Sequence, residues 1–292
     1  MPDNIKVAVL GEDARTRAIG ERLLTFGVGV RTCGADCAET AEQVIAGCHA
    51  VILPTPAFVG GDVINIFHGQ EKRWRAADLL ACVGERKIPV FGGRIPPAVS
   101  RAAIERGVRL IDYMAMEEVQ IRNAVPTAEG AIFIAMELLD RTLDGAQVAI
   151  LGYGRIGFAL AERLHALGAS VTVAVRKRRD VARLQNDHLH ALPIVLKDGK
   201  SSLDALADGY DVIFNTIPYR LIDRQSLQRI SDAGSALIEL ASAPGGWDPA
   251  EATMFGDRVR YAGGLPAIYA PRTAGNLIAD ALLPYLEEVK LE

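Results

Sequence analysis

The sequence predicts an α/β fold made of two doubly wound parallel-sheet domains. Three observations carry this. Short β-rich apolar runs alternate with stretches whose apolar residues recur at helical spacing, the pattern of strand, crossover helix and parallel strand. The alternation starts twice, at Ile5 to Leu10 and again at Val148 to Leu151. A length of 292 residues suits two domains of ordinary size better than one core.

Taken in order, Ile5 to Leu10 ends at Gly11, and a helical stretch from about Asp13 to Phe26 follows with Ala18, Ile19, Leu23 and Leu24 at helical spacing. Further apolar runs lie at Val28 to Val30, Ala50 to Leu53, Ile88 to Phe91 and Val108 to Ile111. Thr127 is placed to cap a helix that carries Ile132, Ile134, Leu138 and Leu139 and stops near Asp144-Gly145. The domain joint is expected there. The second series runs through Val148 to Leu151, Val171 to Val175, Leu192 to Val195, Val212 to Phe214 and Leu237 to Leu240. The last segment, Thr273 to Val289, has Leu277, Ile278, Leu282 and Leu286 on one stripe, and Pro284 is expected to kink it. The two halves show no residue-level repeat.

Apolar residues make up 50% of the chain and charged residues 23%, a balance that buries a core and argues against disorder. The net charge of -4 argues against a nucleic-acid binder, which needs a basic excess for phosphate contacts. No apolar run of membrane-spanning length and no signal-peptide pattern is present, so no membrane partner is expected. Cys33, Cys37, Cys48 and Cys82 form no CxxC pair and read as buried thiols of a reducing cytoplasm. His49, His68, His165, His188 and His190 form no HExxH or other ligand set, so no metal is expected. There is no GxSxG elbow, and Ser242 has no evident base partner.

The chemistry concentrates after the run Val148 to Leu151. It leads directly into Gly152-Tyr153-Gly154-Arg155-Ile156-Gly157, and a helix from Phe158 to Leu167 follows. In a strand, loop and helix of this order, the first glycine permits the tight turn, the second lets backbone approach a pyrophosphate, and the third lets helix pack on strand. The positive end of the helix then faces the phosphates. This is the signature of a Rossmann domain that binds a nicotinamide dinucleotide. The N-terminal counterpart, Gly11-Glu12-Asp13-Ala14-Arg15, lacks the second and third glycines and sets carboxylates where phosphates would lie. Cofactor choice turns on the end of the next strand, where NAD binders place an acid for the ribose hydroxyl. This chain has Arg176-Lys177-Arg178-Arg179. Cations there suit a 2′-phosphate and favour NADP over NAD, the competing reading being a solvated surface turn. Thr216, Ile217 and Pro218 follow a later strand and are expected to border the nicotinamide half.

The expected boundaries are 1–126 for a flavodoxin-like or Rossmann-like substrate domain, 127–143 for a joint helix, 144–271 for the Rossmann domain, and 272–292 for a tail helix. In two-domain dehydrogenases such tails cross back to the first domain and leave a cleft between the two; that placement is analogy.

Four stretches carry a more specific likeness. They are Gly11 to Arg15, Asn123-Ala124-Val125-Pro126-Thr127-Ala128-Glu129-Gly130, the glycine loop 152–157, and Gly264-Leu265-Pro266-Ala267-Ile268-Tyr269-Ala270-Pro271-Arg272-Thr273-Ala274-Gly275. On these the chain resembles the dipicolinate synthase A-subunit family over nearly its full length. One departure is visible: the family pattern often opens with two glycines before the Asp, and Glu12 interrupts that pair. The resemblance implies oxidation of a dihydrodipicolinate-type intermediate, drawn from the lysine pathway, to dipicolinate. It implies a partner, the flavoprotein-like B subunit of the same synthase, in a hetero-oligomer, or else a homo-oligomer. It also implies the mother-cell cytoplasm of a sporulating bacterium.

Aromatising a dihydropyridine needs a hydride acceptor, a proton acceptor and cations for two ring carboxylates. Arg15, just past the first strand, is the leading carboxylate clamp with Asp13 beside it, the other reading being an ion pair with Asp13 or Glu12. Arg272 is a second candidate, or a polar residue opening the tail helix. Thr127 is a candidate to bond a substrate carboxylate, Glu129 to take the ring proton and Asn123 to orient the substrate; helix capping competes for Thr127 and Glu129. Three functions stay open: an NADP-dependent dehydrogenase of a cyclic dicarboxylate, a non-catalytic NADP(H)-binding protein that organises its flavoprotein partner, and another two-domain dehydrogenase of shikimate or amino-acid type.

Overall fold

The computed structural model describes residues 5–34, 40–66, 74–194, 196–197, 200–201 and 209–289. In chain order the elements are β1 (Lys6–Leu10), α1 (Ala14–Thr25), β2 (Gly29–Cys33), α2 (Ala41–Ile45), β3 (Ala50–Ile52), β4 (Phe58–Val59), β5 (Val63–Ile64), α3 (Ala76–Gly84), β6 (Val90–Gly92), α4 (Pro97–Glu105) and β7 (Leu110–Asp112). A single 3-10 turn, Tyr113–Ala115, leads into α5 (Glu117–Leu138). Then come β8 (Gln147–Leu151), α6 (Arg155–Ala166), β9 (Ser170–Val175), α7 (Arg178–Asn186), β10 (His190–Pro193), β11 (Leu196–Lys197), β12 (Lys200–Ser201), β13 (Val212–Asn215), α8 (Arg224–Asp232) and β14 (Ala236–Glu239). A 3-10 segment, Glu251–Arg258, precedes β15 (Val259–Tyr261), α9 (Leu265–Tyr269) and α10 (Pro271–Val289).

The chain divides into two compact units, residues 1–123 with 270–292, and residues 124–269. The division falls inside α5, three residues before the expected end of the first domain, and the tail joins the first unit.

The first unit is a parallel sheet in the order β2-β1-β3-β6-β7, which is the flavodoxin-like order once the small β4–β5 hairpin is set aside. Alternation along β1 sends Val7 and Val9 to one face, against Ile19 and Leu23 of α1 and Leu277, Ile278, Leu282 and Leu286 of α10. Ala8 and Leu10 point to the other face, against Val44 and Ile45 of α2 and Leu79, Leu80 and Val83 of α3. The contact of α10 with α1 is close enough to need a glycine. A Cβ on Gly275 would lie 2.5 Å from the Arg15 carbonyl oxygen and 2.6 Å from the Ala18 Cβ.

The second unit is a parallel sheet in the order β10-β9-β8-β13-β14-β15. Numbered from its own first strand this is 3-2-1-4-5-6, the Rossmann order, with its switch point between β8 and β13. Val148 and Ile150 of β8 face the buried Leu160 and Leu164 of α6 and the buried Ala128, Ala131, Ile132 and Ala135 of α5. Ala149 and Leu151 face Leu227 and Ile230 of α8 and Trp247.

Several expectations need correction. Thr127 caps nothing: α5 begins at Glu117, its first turn carries Glu117 and Glu118, and Thr127 and Pro126 sit inside it. A proline inside a helix costs about 3 kcal/mol through its missing donor and ring clash. Burial of Ala124, Ala128, Ala131 and Ala135 seats the segment on the core and offsets that cost. Helix α10 includes Pro284, as expected, with Leu282 and Leu286 on either side of it buried. Helix α5 also ends at Leu138, short of Asp144. The second strand is Gly29–Cys33, hidden from the apolar pattern by Arg31 and Thr32, yet paired residue for residue with Lys6–Leu10. The strand β15 and the β4–β5 hairpin have no counterpart in the expected pattern.

Cys33 and Cys48 are buried and Cys82 is half-buried, while Cys37 and His68 lie outside the described residues. Burial pushes the Cys48 and Cys82 thiols up. Among the described residues no helix is long and apolar enough to cross a membrane, and no group of three or more His, Cys, Asp or Glu is arranged to hold a metal ion.

Candidate functional site

The switch point of the second unit brings together the turn after β8, the end of β9 and the turn after β13. Gly152 has φ +96°, and a Cβ there would lie 2.7 Å from Thr216 Oγ1 and 2.8 Å from Ile217 Cγ1. A Cβ on Gly157 would meet the Gly152 carbonyl oxygen at 2.1 Å. Both glycines are therefore set by protein packing. Gly154 differs: a Cβ there would meet nothing within 4 Å, and as N-cap of α6 it offers no side-chain hydrogen bond to the helix. The first turn of this twelve-residue helix therefore has no capping side chain, and its N-cap glycine faces open space.

The first unit closes the equivalent place. Asp13 caps α1: its Oδ1 accepts from the backbone N–H groups of Arg15 and Thr16, each at 2.9 Å, and its Oδ2 accepts from the Thr16 hydroxyl at 2.7 Å. The donors that a phosphate would use are already taken by a carboxylate.

Beside the glycine turn lies a cleft of about 450 Å³ between the ends of β9 and β13. Gly152, Tyr153, Arg176, Lys177, Asp180 and Ile217 are among its walls. Tyr153 is held by donating to Asp187 Oδ2 at 3.2 Å and by an edge contact with Phe158. Burial, with Asp187 beside it, pushes its hydroxyl up to about 12. Arg176 and Lys177 are exposed at the rim, whereas Arg178 opens α7 and does not line the cleft. Arg155 and Ile156 form the first turn of α6, and Pro218 is exposed. The Thr216 hydroxyl donates to the Leu151 carbonyl at 2.7 Å, which pins the turn after β13 onto the end of β8.

Sequence reasoning gave no role to three residues here, although it placed Asn215 at the ligand end of its strand. Asp180, in the first turn of α7 and paired with Arg179 at 3.5 Å, lines the cleft. Asn215 and Glu239 end two adjacent strands and are buried, although both are polar. A polar residue closing an otherwise apolar strand at the ligand end of a sheet was the available signal.

The remaining candidates are spread over both units. Arg15 is buried in the first turn of α1, where its Nη2 donates to the Thr55 carbonyl. Its Nε has no hydrogen-bond partner and lies 4.0 Å from Asp13 Oδ1. Thr55 is held in turn by donating to the Tyr113 hydroxyl at 2.8 Å, and Tyr113 donates to the Leu53 carbonyl at 2.9 Å. Arg272 is exposed in the first turn of α10. Asn123, Thr127 and Glu129 lie within α5, not at its start. Asn123 and Thr127, four apart, share a helix face; Glu129 points elsewhere, is exposed, and pairs with Arg163 at 3.7 Å.

The residues present fit a dinucleotide. The turn has the close approaches that require glycine at Gly152 and Gly157, a space at Gly154, uncapped helix donors and an adjoining cleft with cations at its rim.

Comparison with known proteins agrees in sequence and in fold. Residues 6–114 match the N-terminal domain of the dipicolinate synthase A chain, and residues 119–243 match the NAD binding domain of D-isomer specific 2-hydroxyacid dehydrogenases. The A chain of dipicolinate synthase from Bacillus subtilis is 29% identical over 302 residues, covering 100% of this chain and 99% of its own. The crystal structure of its counterpart from Bacillus halodurans superposes with a TM-score of 0.82 at 28% identity, covering 98% of this chain and 99% of that one. The apo-structure of D-lactate dehydrogenase from Escherichia coli shares the fold, with a TM-score of 0.65 at 16% identity over 98% of this chain and 97% of its own. The chain is an NAD(P)-dependent oxidoreductase that carries a dehydrogenase-type NAD-binding domain and is similar over its whole length to the dipicolinate synthase A chain.

Proposed function

We propose that the chain oxidises a dihydrodipicolinate-type cyclic dicarboxylate to dipicolinate, with NADP+ as hydride acceptor, as the A subunit of a dipicolinate synthase. The observation that carries the cofactor half is the contrast between the two helix N-termini. That of α6 is uncapped and open over Gly154, while that of α1 is filled by Asp13. The substrate half rests on the likeness to proteins that bear the dipicolinate synthase name.

When bound, the cofactor supplies a two-electron acceptor, and aromatisation of the ring releases one hydride and one proton. The first turn of α6, Arg155 to Gly157, would hold the pyrophosphate at the positive end of the helix. Arg176 and Lys177 at the rim of the cleft would hold the 2′-phosphate. Arg15, whose Nε makes no hydrogen bond and only a 4.0 Å ion pair with Asp13, is the clamp for a ring carboxylate, with its guanidinium steadied by the Thr55 carbonyl. Arg272 supplies a second cation, Asn123 and Thr127 supply neutral hydrogen-bonding groups from one face of α5, and Glu129 is the candidate proton acceptor. The flavoprotein-like B subunit of the synthase is the proposed partner.

One observation favours a second reading of the cofactor. Asp180 lines the same cleft as Arg176, and a carboxylate there suits the ribose hydroxyls of NAD. Titration of the protein with NADPH and NADH decides. NADP is supported when Arg176→Ala with Lys177→Ala weakens NADPH about tenfold or more and leaves NADH unchanged. Equal affinities before and after the change overturn it.

The activity is tested by mixing the purified chain, with and without its flavoprotein partner, with freshly generated dihydrodipicolinate and NADP+, and following NADPH and dipicolinate together. Equimolar appearance of the two supports the reaction. No product from the chain alone, with flavin-dependent turnover in the mixture, makes the chain a cofactor-binding organiser of its partner instead.

A further inference from the structure

The carboxyl ends of β13 and β14 are joined by a buried acid. Glu239 is 5% exposed, and Asn215 beside it is fully buried. Glu239 Oε1 accepts from Asn215 Nδ2 at 2.8 Å and from the Ala241 N–H at 2.8 Å, while Oε2 accepts from the Gly246 N–H at 2.7 Å. Asn215 Nδ2 also donates to the Ile217 carbonyl at 3.0 Å, and its Oδ1 accepts from the Ile217 N–H at 3.1 Å. One carboxylate therefore holds the turn after β13 and the loop after β14 at once. The Gly246 carbonyl extends the reach by accepting from the N–H groups of Leu221 and Ile222, at 2.8 and 3.0 Å.

The loop is shaped for this contact. A Cβ on Gly245 would come 2.9 Å from Glu239 Oε2, and one on Gly246 would come 2.5 Å from Asn215 Nδ2. An aliphatic side chain at 239 would leave buried donors on Asn215, Ala241 and Gly246 without partners, each a loss of about 1–3 kcal/mol. Glutamine cannot replace the acid either. It has one acceptor oxygen, so its amide would face a donor on one side or the other.

The position of this hub has a consequence for the dinucleotide proposed above, on which the inference rests. The adenosine half belongs in the cleft at the end of β9. The dinucleotide crosses the glycine turn after β8, so its other half extends over the ends of β13 and β14. The geometry points to Glu239 as a positioning residue that locks the Asn215–Ile217 turn to the Ala241–Gly246 loop and so builds the wall against which the nicotinamide half rests. Glu239 touches no reacting atom.

The test compares affinities in the full chain. Wild type and Glu239→Gln are titrated by calorimetry with the reduced cofactor that the wild type binds, and with the same nucleotide lacking nicotinamide. The latter is 2′-phospho-ADP-ribose for NADPH or ADP-ribose for NADH. The inference expects Kd for the whole cofactor to rise about tenfold or more and Kd for the truncated one to stay within about twofold. Equal weakening of both ligands, as a general loss of structure would give, overturns it, as does no weakening of either. If Glu239→Gln does not fold, Asn215→Ala is read the same way, since it cuts the same tie from the other strand. A wild type that binds neither ligand overturns the dinucleotide reading itself, and the inference with it; normal wild-type binding without the split overturns the inference alone.

Discussion

At the scale of single residues the three glycines of the turn after β8 make opposite demands, and alanine at two of them separates folding from binding. Gly157 lies against backbone, so Gly157→Ala must push the Gly152 carbonyl from a position 2.1 Å away. It is expected to lower stability by about 1–3 kcal/mol as well as binding. Gly154 faces space and has φ -83°. Gly154→Ala is expected to keep its melting temperature within about 2 °C of wild type and to lose cofactor affinity tenfold or more. Thermal melts beside a cofactor titration check both; a Gly154→Ala protein that binds normally would remove the phosphates from this turn. Glu239 adds a pH dependence. Burial pushes its carboxyl above the ordinary 4.5, against the hydrogen bonds from Gly246, Ala241 and Asn215. The native state then keeps a proton that the unfolded chain releases, so this group's contribution to stability falls as pH rises from 4.5 through the raised value. Urea unfolding of wild type and Glu239→Gln across that window is expected to show the decline in wild type and its absence in the variant. The glycine turn and the basic run were readable because their spacing along the chain is itself the signal. The roles of Asn215 and Glu239 were not, because they come from neighbouring strands 24 residues apart in sequence, and that of Asp180 was not, because only the fold turns the first turn of α7 toward the cleft.

At the scale of elements the close contact is α10 against α1. Gly275 lets the helices meet, and Leu282 is fully buried beneath them. Gly275→Ala is expected to cost about 1–3 kcal/mol through the clash with the Arg15 carbonyl. Leu282→Ala is expected to cost about 2–5 kcal/mol through the cavity left behind. Urea midpoints measure both, and an unchanged midpoint for either would mean that α10 does not seal this core. The apolar stripe that marks α10 was plain in the sequence, as were β8, β9, β13 and β14; β10, expected at Leu192 to Val195, is His190–Pro193, and Val195 lies outside the described residues. The start of α5 was not. Proline and threonine at 126 and 127 resemble a helix entrance, and only packing of Ala124, Ala128 and Ala131 shows that the helix runs through them. β15 escaped for a related reason: two of its three residues are exposed, so pairing with β14 defines it and hydrophobicity does not.

At the scale of the whole molecule the chain holds one tryptophan in each unit, which allows the location of the cofactor to be read directly. Trp74 packs in the first unit and donates to Glu42 Oε1 at 3.2 Å; Trp247 is buried in the second and donates to the Tyr261 hydroxyl at 2.8 Å. They are the only two in the sequence. In Trp74→Phe protein the remaining fluorescence reports unfolding of the second unit, and in Trp247→Phe protein that of the first. All the residues assigned to the dinucleotide belong to the second unit. Cofactor at one hundred times its Kd stabilises the unit that binds it by about 2.7 kcal/mol. The expected outcome is a shift of that size in the urea transition followed by Trp247 and a smaller one in the transition followed by Trp74. Equal shifts would mean that the two units unfold as one cooperative body. A Trp247 transition that stays still while Trp74 moves would place the cofactor in the first unit, where Asp13 already fills the end of α1, and would overturn the assignment made from the open end of α6.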